Sequence, residues 1–363
     1  MNEFAQTLLT WFRAHGRALP WRETRDAYAI WLSEVILQQT QVKQGMDYWL
    51  RFMRRWPTVE QLAAATEDEV LREWQGLGYY SRARNLLAAA RQVVAMGGFP
   101  QTLEGLRSLK GVGDYTAAAI GSMAFGLPAA VVDGNVYRVL GRHFGISTPI
   151  DTTEGKKLFA AQAQDLLPVS LEQSQLATPQ PGRDGQAAGL YNQAIMDFGA
   201  IQCTPQSPHC EACPLQESCV AFREGRVGQL PVKQKSLKVK ERRLTYIYIR
   251  CEGQTAIHRR GEGDIWQGLY EPLLIDDVQQ TMDHWAEQNH YQLTTANCQL
   301  LAKQVKHVLT HRVLLADFYL WEPGERPALP EGYFWIDEAD FDDYAKPRLV
   351  EKLLKNCKKV WAF

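Results

Sequence analysis

The sequence contains no run approaching the roughly eighteen consecutive apolar residues that a membrane-spanning helix needs. The N-terminus also lacks a basic start followed by an apolar core, so no secretory signal is predicted. Instead Phe4, Leu8, Trp11 and Phe12 recur at helical spacing, which predicts an amphipathic first helix. We therefore expect a cytoplasmic protein without a membrane partner.

Neither sign of charge is in excess, because 40 lysines and arginines face 41 aspartates and glutamates, for a net charge of −1. Overall charge therefore does not identify a nucleic-acid binder, and any such surface has to be a local patch. The 363 residues, 45% of them hydrophobic, are enough for two domains with separate cores.

Cysteine is scarce, and its seven positions are uneven. An odd, uneven set does not suit a disulfide framework but suits a metal site. Four cysteines share one short stretch with three prolines, with the spacing Cys203-x6-Cys210-x2-Cys213-x5-Cys219. Zinc and a 4Fe–4S cluster are both chemically possible there. The single close pair favours iron–sulfur, since zinc sites prefer two separated Cys-x2-Cys pairs.

The chain divides by pattern into three parts. Residues 1–225 are almost entirely helical in pattern, and the basic, proline-containing segment 226–242 predicts a linker. From residue 243 the character changes to an α+β domain. Strands are predicted at 244–249, 256–260, 313–320 and 332–336, and helices at 279–288 and 347–360.

Glu34 lies on a predicted helix at residues 26–41, at the edge of its apolar stripe. A carboxyl group there would be partly desolvated, which raises its pKa and makes it a proton donor near neutral pH. The alternative is an ordinary solvated glutamate on a helix.

Residues 106–138 contain a predicted helix-hairpin-helix centred on LKGVG at 109–113. Gly111 and Gly113 would allow positive φ and close approach, and the helix after them, predicted at 116–125, offers free N–H groups to a phosphate. Asp133 follows, between an apolar run and a helix beginning near residue 136. Taken alone, these features also fit an ordinary turn and a helix cap.

The loop at residues 76–81 combines two glycines with Leu77, Tyr79 and Tyr80. Such a loop suits insertion into a base stack, at a cost of a few kcal/mol for unstacking. A helix C-terminus with aromatic packing is the alternative. Residues 168–189 are polar and rich in proline and glycine, which predicts an exposed loop.

Together these segments resemble the adenine DNA glycosylase (MutY) family of the endonuclease III-like superfamily, over nearly the whole length. The resemblance is carried by LPWR at 19–22, SEVILQQT at 33–40, GLGYY at 76–80, residues 109–116, VDGNV at 132–136, the four cysteines and HVLTH at 307–311. It implies a helical helix-hairpin-helix glycosylase domain with an iron–sulfur loop (1–225), the linker (226–242) and a Nudix-like lesion-recognition domain (243–363).

The resemblance also implies residue roles in base-excision repair. Glu34 would protonate N7 of an extruded adenine, and Asp133 would stabilise the oxocarbenium-like sugar, the division of labour of paired carboxylates in glycosidases. Tyr115 and Asn135 would support this pair. Arg17, Leu19, Trp21 and Arg22 would line the adenine pocket, and Gln39, Thr40, Leu77, Tyr79, Gly111, Gly113, His307, Leu309, Thr310 and His311 would contact DNA or 8-oxoguanine.

The implied cofactor is one 4Fe–4S cluster on Cys203, Cys210, Cys213 and Cys219. The implied partner is double-stranded DNA with adenine opposite 8-oxoguanine or guanine, bound by a monomer and, in a bacterium, associated with the nucleoid. Tyr115 stands where bifunctional relatives carry a Schiff-base lysine, so a monofunctional enzyme is expected. Two alternatives remain: a bifunctional enzyme of endonuclease III type for oxidised pyrimidines, and a non-catalytic DNA-binding or redox-sensing iron–sulfur protein.

Two departures from the family pattern concern the C-terminal part. Leu309 stands where many members carry an aromatic residue, and Thr310 stands where many carry a serine. Thr310 can still donate a hydrogen bond to a modified guanine. The glutamate-rich magnesium pattern of Nudix hydrolases is missing from the sequence. We therefore expect this domain to recognise the lesion rather than to hydrolyse nucleotides.

Overall fold

The computed structural model describes residues 2–168, 187–234, 239–275, 286–287, 291, 293 and 297–361. They form two compact units that do not follow chain order. The first unit comprises Met1–Ala64 and Ala88–Lys235, and the second comprises Ala65–Leu87 and Ser236–Phe363. The first unit is helical and the second contains two sheets and helices, which confirms the predicted fold class.

The helices account for most of the ordered structure, and each begins where a local signal favours it. Asn2 and Asp26 accept hydrogen bonds from the first turns of the helices that follow them, and Thr66 forms a capping box with Glu69. In chain order the helices are α1 (Glu3–His15), α2 (Ala27–Leu37), α3 (Val42–Arg55), α4 (Val59–Ala64), α5 (Glu67–Trp74), α6 (Ser81–Ala95), α7 (Leu103–Ser108), α8 (Asp114–Phe125), α9 (Gly134–His143), α10 (Thr153–Asp165), α11 (Ala187–Asp197), α12 (Val220–Arg223) and α13 (Arg348–Trp361).

The core of the first unit lies between α1, α8, α9, α10 and α11. Its members include the fully buried Leu8, Ala119, Leu140, Phe159 and Ile195. Small residues in α8 let this helix approach both α2 and α11 closely. Residues Thr116–Met123 of α8 are all buried, so this helix passes through the core of the first unit.

Several predicted helix boundaries need correction. The helix predicted at 26–41 ends at Leu37, because Gln38 leaves the helical region and Gln39 has φ of +58°. Helix α11 begins at Ala187, inside the segment predicted as a loop at 168–189. The rest of that segment, 169–186, lies outside the described residues.

The sheets of the second unit have mixed topology. A four-stranded sheet has the order β4-β1-β6-β5, with β1 and β6 parallel and the other pairs antiparallel. An antiparallel three-stranded sheet has the order β3-β2-β7. The strands are β1 (Lys240–Ile249), β2 (Gln254–Arg259), β3 (Tyr270–Glu271), β4 (Leu273–Ile275), β5 (Cys298–Val308), β6 (Arg312–Trp321) and β7 (Tyr333–Asp337).

The four predicted strands are confirmed as β1, β2, β6 and β7, but three strands were not predicted. The longest of these, β5, is an edge strand that is largely exposed, with register irregularities between Leu300 and Val305 that interrupt alternation. The C-terminal helix is confirmed as α13, whereas the helix predicted at 279–288 lies almost wholly outside the described residues.

The segment predicted as a linker is partly structured. Its residues 240–242 already belong to β1, where Lys240 pairs with Arg312 of β6. At its other end the backbone N–H of Ile150 donates to the Val232 carbonyl at 3.0 Å, and Leu230 is buried. Residues 235–238 of the predicted linker lie outside the described residues.

Residues 65–87 belong to the second unit although they were predicted in the N-terminal domain. Polar contacts hold them there. Arg259 forms ion pairs with Glu67 and Asp68 at 3.0 and 3.1 Å, and Arg84 donates to the Gln267 carbonyl at 2.7 Å. Among the described residues, no helix is long and apolar enough to cross a membrane.

Candidate active site

A cavity of about 440 Å³ opens in the first unit, between the 3₁₀ turn Pro20–Arg22, α2, α8 and the start of α9. Its volume is within the usual range for small-molecule sites. It brings together nine of the residues predicted from the sequence: Arg17, Leu19, Trp21, Arg22, Glu34, Thr40, Tyr115, Asp133 and Asn135. Arg138, Gln193 and Met196 also line it and were not anticipated.

Glu34 is buried in the wall of this cavity, at 8% exposure. The Tyr115 hydroxyl donates a hydrogen bond to its Oε2 at 2.7 Å. Burial raises the pKa of Glu34 to about 7; nearby Asp133 adds to the rise, while Tyr115 and Arg22 oppose it. A large share of Glu34 therefore carries a proton at neutral pH, as the sequence predicted.

Asp133 is the N-cap of α9 and also lines the cavity. It accepts hydrogen bonds from the backbone N–H groups of Asn135 and Val136, at 2.9 and 2.8 Å, and from Asn135 Nδ2 at 2.7 Å. Burial raises its pKa, but these donors and Arg138 oppose the rise because they favour the ionised form. The capping and cavity-lining interpretations of Asp133 are thus both correct.

Behind the cavity, Asp197 at the end of α11 is completely buried. Its carboxylate accepts from the Arg17 backbone N–H and side chain and from both terminal nitrogens of Arg22. Sequence reasoning missed this residue. The signal was available, because a carboxylate within the apolar stretch at 194–201 requires a partner once it is buried.

Two arginines of α9 connect the cavity with the cysteine loop. Arg138 donates to Asn135 Oδ1 at 2.7 Å and to the Cys203 carbonyl at 2.7 Å, and also to the Gly199 carbonyl. Arg142 donates to the Thr204 carbonyl at 2.7 Å and lies 3.4 Å from Cys203 Sγ. Neither arginine was singled out from the sequence.

The four clustered cysteines line one small cavity of about 30 Å³. Within the described ranges, no group of three metal-binding side chains is arranged to hold a single ion. Four thiols around a shared space are the usual donor set of an iron–sulfur cluster. Cys203, Cys210, Cys213 and Cys219 therefore fit an iron–sulfur group, which they would bind as thiolates.

The two glycines of the hairpin differ from each other. Gly111 has φ of +77°, as expected of the turn, but Gly113 is extended, with φ of −95°, and caps α8. Nothing lies within 4 Å of the place where a Cβ of Gly113 would be. The turn therefore takes positive φ at Gly111 alone, and Gly113 leaves the first turn of α8 open to approach.

Of the remaining predicted residues, Gln39 is exposed and does not line the cavity. The others lie in the second unit, where the exposed Tyr79 and Thr310 share a hydrogen bond between their hydroxyl groups. Leu77 is 9% exposed. His307 is the last residue but one of β5, and Leu309, Thr310 and His311 form the turn to β6. A hydrogen bond from the Leu309 backbone N–H to the Arg312 carbonyl closes this turn at 2.8 Å.

Three protein families match separate parts of the chain. Residues 32–166 match the HhH-GPD superfamily of base excision DNA repair proteins, and residues 203–219 match the iron–sulfur binding domain of endonuclease III. Residues 245–356 match the NUDIX domain. The match at the cysteine loop, together with its four thiols, identifies an iron–sulfur site.

Curated relatives match either nearly the whole chain or a large part of it. An adenine DNA glycosylase of Buchnera aphidicola from Schizaphis graminum is 30% identical over 97% of this chain and 98% of its own length. The mouse adenine DNA glycosylase is 44% identical over 63% of this chain and 44% of its own length. Among solved structures, a thermostable thymine-DNA glycosylase is 30% identical, with a TM-score of 0.53 over 61% of this chain and 95% of that one.

Proposed function

This chain belongs to the adenine DNA glycosylase family, and we propose that it removes adenine paired with 8-oxoguanine or guanine by hydrolysing the N-glycosidic bond. The observation that carries the proposal is the pairing of Glu34 and Asp133 in one cavity, with Glu34 still protonated near neutral pH. A leaving base needs an acid and a sugar cation needs an anion, and the cavity supplies both.

Glu34 acts as the general acid. Because Tyr115 donates to Oε2, that oxygen is the acceptor and Oε1 remains for the transferable proton. Proton transfer to N7 of the extruded adenine converts the base into a neutral leaving group. This contribution is typically worth 10²–10⁴-fold in rate, about 3–5 kcal/mol.

Asp133 acts on the sugar. Its three hydrogen bonds fix the carboxylate at the N-terminus of α9, so its charge needs no reorganisation as the oxocarbenium-like cation develops. Asn135 orients this carboxylate and is itself held by Arg138.

We propose that the enzyme is monofunctional. Tyr115 occupies the position of the Schiff-base lysine, and no lysine lines the cavity within the described part of the chain. The test compares a duplex carrying adenine opposite 8-oxoguanine with one carrying thymine glycol opposite adenine. Breaks in the first duplex that appear only after alkali support the proposal. Breaks in the second without alkali, with a covalent adduct trapped by borohydride, would instead indicate the bifunctional class.

Recognition of 8-oxoguanine is assigned to the second unit. Tyr79 and Thr310 lie 231 positions apart in sequence and yet meet. Both are exposed polar side chains, and they can present hydroxyl groups to one modified base. The Thr310→Ala variant should therefore excise adenine opposite 8-oxoguanine more slowly, with a smaller effect opposite guanine.

Phosphate contacts are expected along α13. Arg348, Lys352, Lys355 and Lys359 follow one helix face, and none of them forms an ion pair within the described residues. Burial lowers the pKa of His307, and the nearby charges of Lys352 and Arg348 lower it further. This helix face therefore lies near the turn that is proposed to bind the lesion.

Replacing Lys355 and Lys359 by alanine should therefore weaken duplex binding. The slope of log affinity against log salt should become shallower by about two, since each phosphate contact contributes about 0.9. The matched control replaces the exposed Lys156 and Lys157 of α10 and should keep the wild-type slope. Equal slopes for all three proteins would exclude this face from the DNA interface.

We further propose that the iron–sulfur group is a single 4Fe–4S cluster. Through Cys203 and Cys219 it would cross-link the segment after α11 to the start of α12, which is a structural role. Arg142 would balance its charge through the contact with Cys203. Analysis of the purified protein should give about four irons and four sulfides per chain.

A further inference from the structure

Asp197 holds two of the arginines that line the cavity, Arg17 and Arg22, although Asp197 itself does not line it. Its two oxygens accept five hydrogen bonds from Arg17 and Arg22, among them 2.8 and 2.7 Å contacts from Arg22 Nη1 and Nη2. Arg22 also donates to the Arg17 carbonyl at 3.0 Å. The side chain of Arg22 is 9% exposed and that of Asp197 is fully buried, so water does not screen the pair.

The charge of Arg22 acts on Glu34 and Tyr115 in the cavity. The other groups facing Glu34 are the Tyr115 hydroxyl from α8 and the Asp133 carboxylate before α9. An uncompensated guanidinium here would favour loss of the proton that the reaction needs.

The residues on either side of Asp197 are held by contacts of their own. Its neighbour Met196 contacts the Tyr115 hydroxyl at 3.4 Å, and Phe198 packs edge-on against Trp11 at 4.9 Å between ring centroids. Although burial alone would raise the pKa of Asp197, hydrogen bonds from Arg22 and Arg17 hold that pKa below its ordinary value. Asp197 therefore remains a carboxylate throughout the working pH range.

We propose that Asp197 is a positioning residue that balances the charge of Arg22 and holds it and Arg17 against the cavity wall, so that Glu34 keeps its proton at neutral pH. It acts through Arg22 and does not touch the substrate. The inference rests on the proposed role of Glu34 as the general acid.

The test is the pH profile of single-turnover adenine excision by wild type, Asp197→Asn and Asp197→Glu. In the wild type, the rate should fall as pH rises through the pKa of Glu34, near 7. Asp197→Asn leaves two guanidiniums without their carboxylate, so this limb should move down by about one pH unit. The loss should be about tenfold at pH 8 and small at pH 5.5. Asp197→Glu retains the charge and should restore most of the wild-type profile.

A purely structural role predicts something else. Asp197→Asn would then lose the same factor at every pH, and Asp197→Glu would be no better; either result overturns the inference. If Asp197→Asn fails to fold, Arg22→Gln decides the matter, because removing the positive charge should move the limb to higher pH. An unmoved limb in Arg22→Gln also overturns the inference. Absence of adenine excision by the wild type would refute the proposed function itself.

Discussion

Replacing Glu34 by glutamine should abolish adenine excision, with a loss of about 10³-fold or more in the single-turnover rate. Glutamine has nearly the same shape and can still accept the hydrogen bond from Tyr115 at Oε1, but it has no proton to transfer. The measurement is base release from a duplex with adenine opposite 8-oxoguanine, under saturating enzyme. Excision within a few-fold of the wild-type rate would exclude Glu34 as the acid.

The same variant provides its own control through binding and stability. Duplex affinity should remain close to wild type, because the substitution removes no contact outside the reacting atoms. The native carboxyl keeps its proton to about pH 7, whereas the unfolded one loses it near 4.5, so stability declines as pH rises between these values. Glu34→Gln should therefore be more stable than wild type at pH 8, by up to about 3 kcal/mol, with little difference at pH 4. A lower melting temperature at pH 8 would contradict the raised pKa.

Replacing Asp133 by asparagine should reduce excision by about 10²–10³-fold, the usual loss when one fixed electrostatic partner of a transition state is removed. Asparagine is also a good N-cap, so α9 should retain its first turn. The loss should therefore appear in the chemical step, with duplex binding retained. A rate near that of the wild type would remove Asp133 from the reaction.

The matched control separates the charge of Asp133 from its capping role. Asp133→Ala removes both and should cost about 1 kcal/mol of stability beyond Asp133→Asn. If the two variants lose activity equally while only the alanine variant loses stability, the charge carries the catalytic effect. If Asp133→Asn unfolds as readily as Asp133→Ala, the capping interpretation of this residue fails.

The sequence alone predicted those features that depend on residues close together in the chain. The start of α2 at Asp26, the cysteine spacing and the placement of Asp133 before α9 depend on contacts within a few positions. For that reason the helical unit and the cysteine loop could be predicted from local pattern, whereas most of the cavity residues were named from the family resemblance. The β-branched and aromatic residues of β1 likewise predicted the start of the second unit. In β6 buried and less buried residues alternate, as expected of a strand with one face towards the core.

Tertiary structure decided what depends on burial and on distant partners. The edge strand β5 escaped prediction because exposure and irregular register erase alternation. Residues 65–87 join the second unit through ion pairs to Arg259, which local pattern cannot reveal.

Glu34, the proposed acid, illustrates this difference. The sequence by itself determined that Glu34 lies on an apolar helix and that a separate motif supplies a second carboxylate, Asp133. The raised pKa of Glu34 required the surrounding protein to exclude water, and the arginines needed Asp197, 175 positions from Arg22. Desolvation and long-range ion pairing are properties of the packed chain, and only the tertiary structure could assign them.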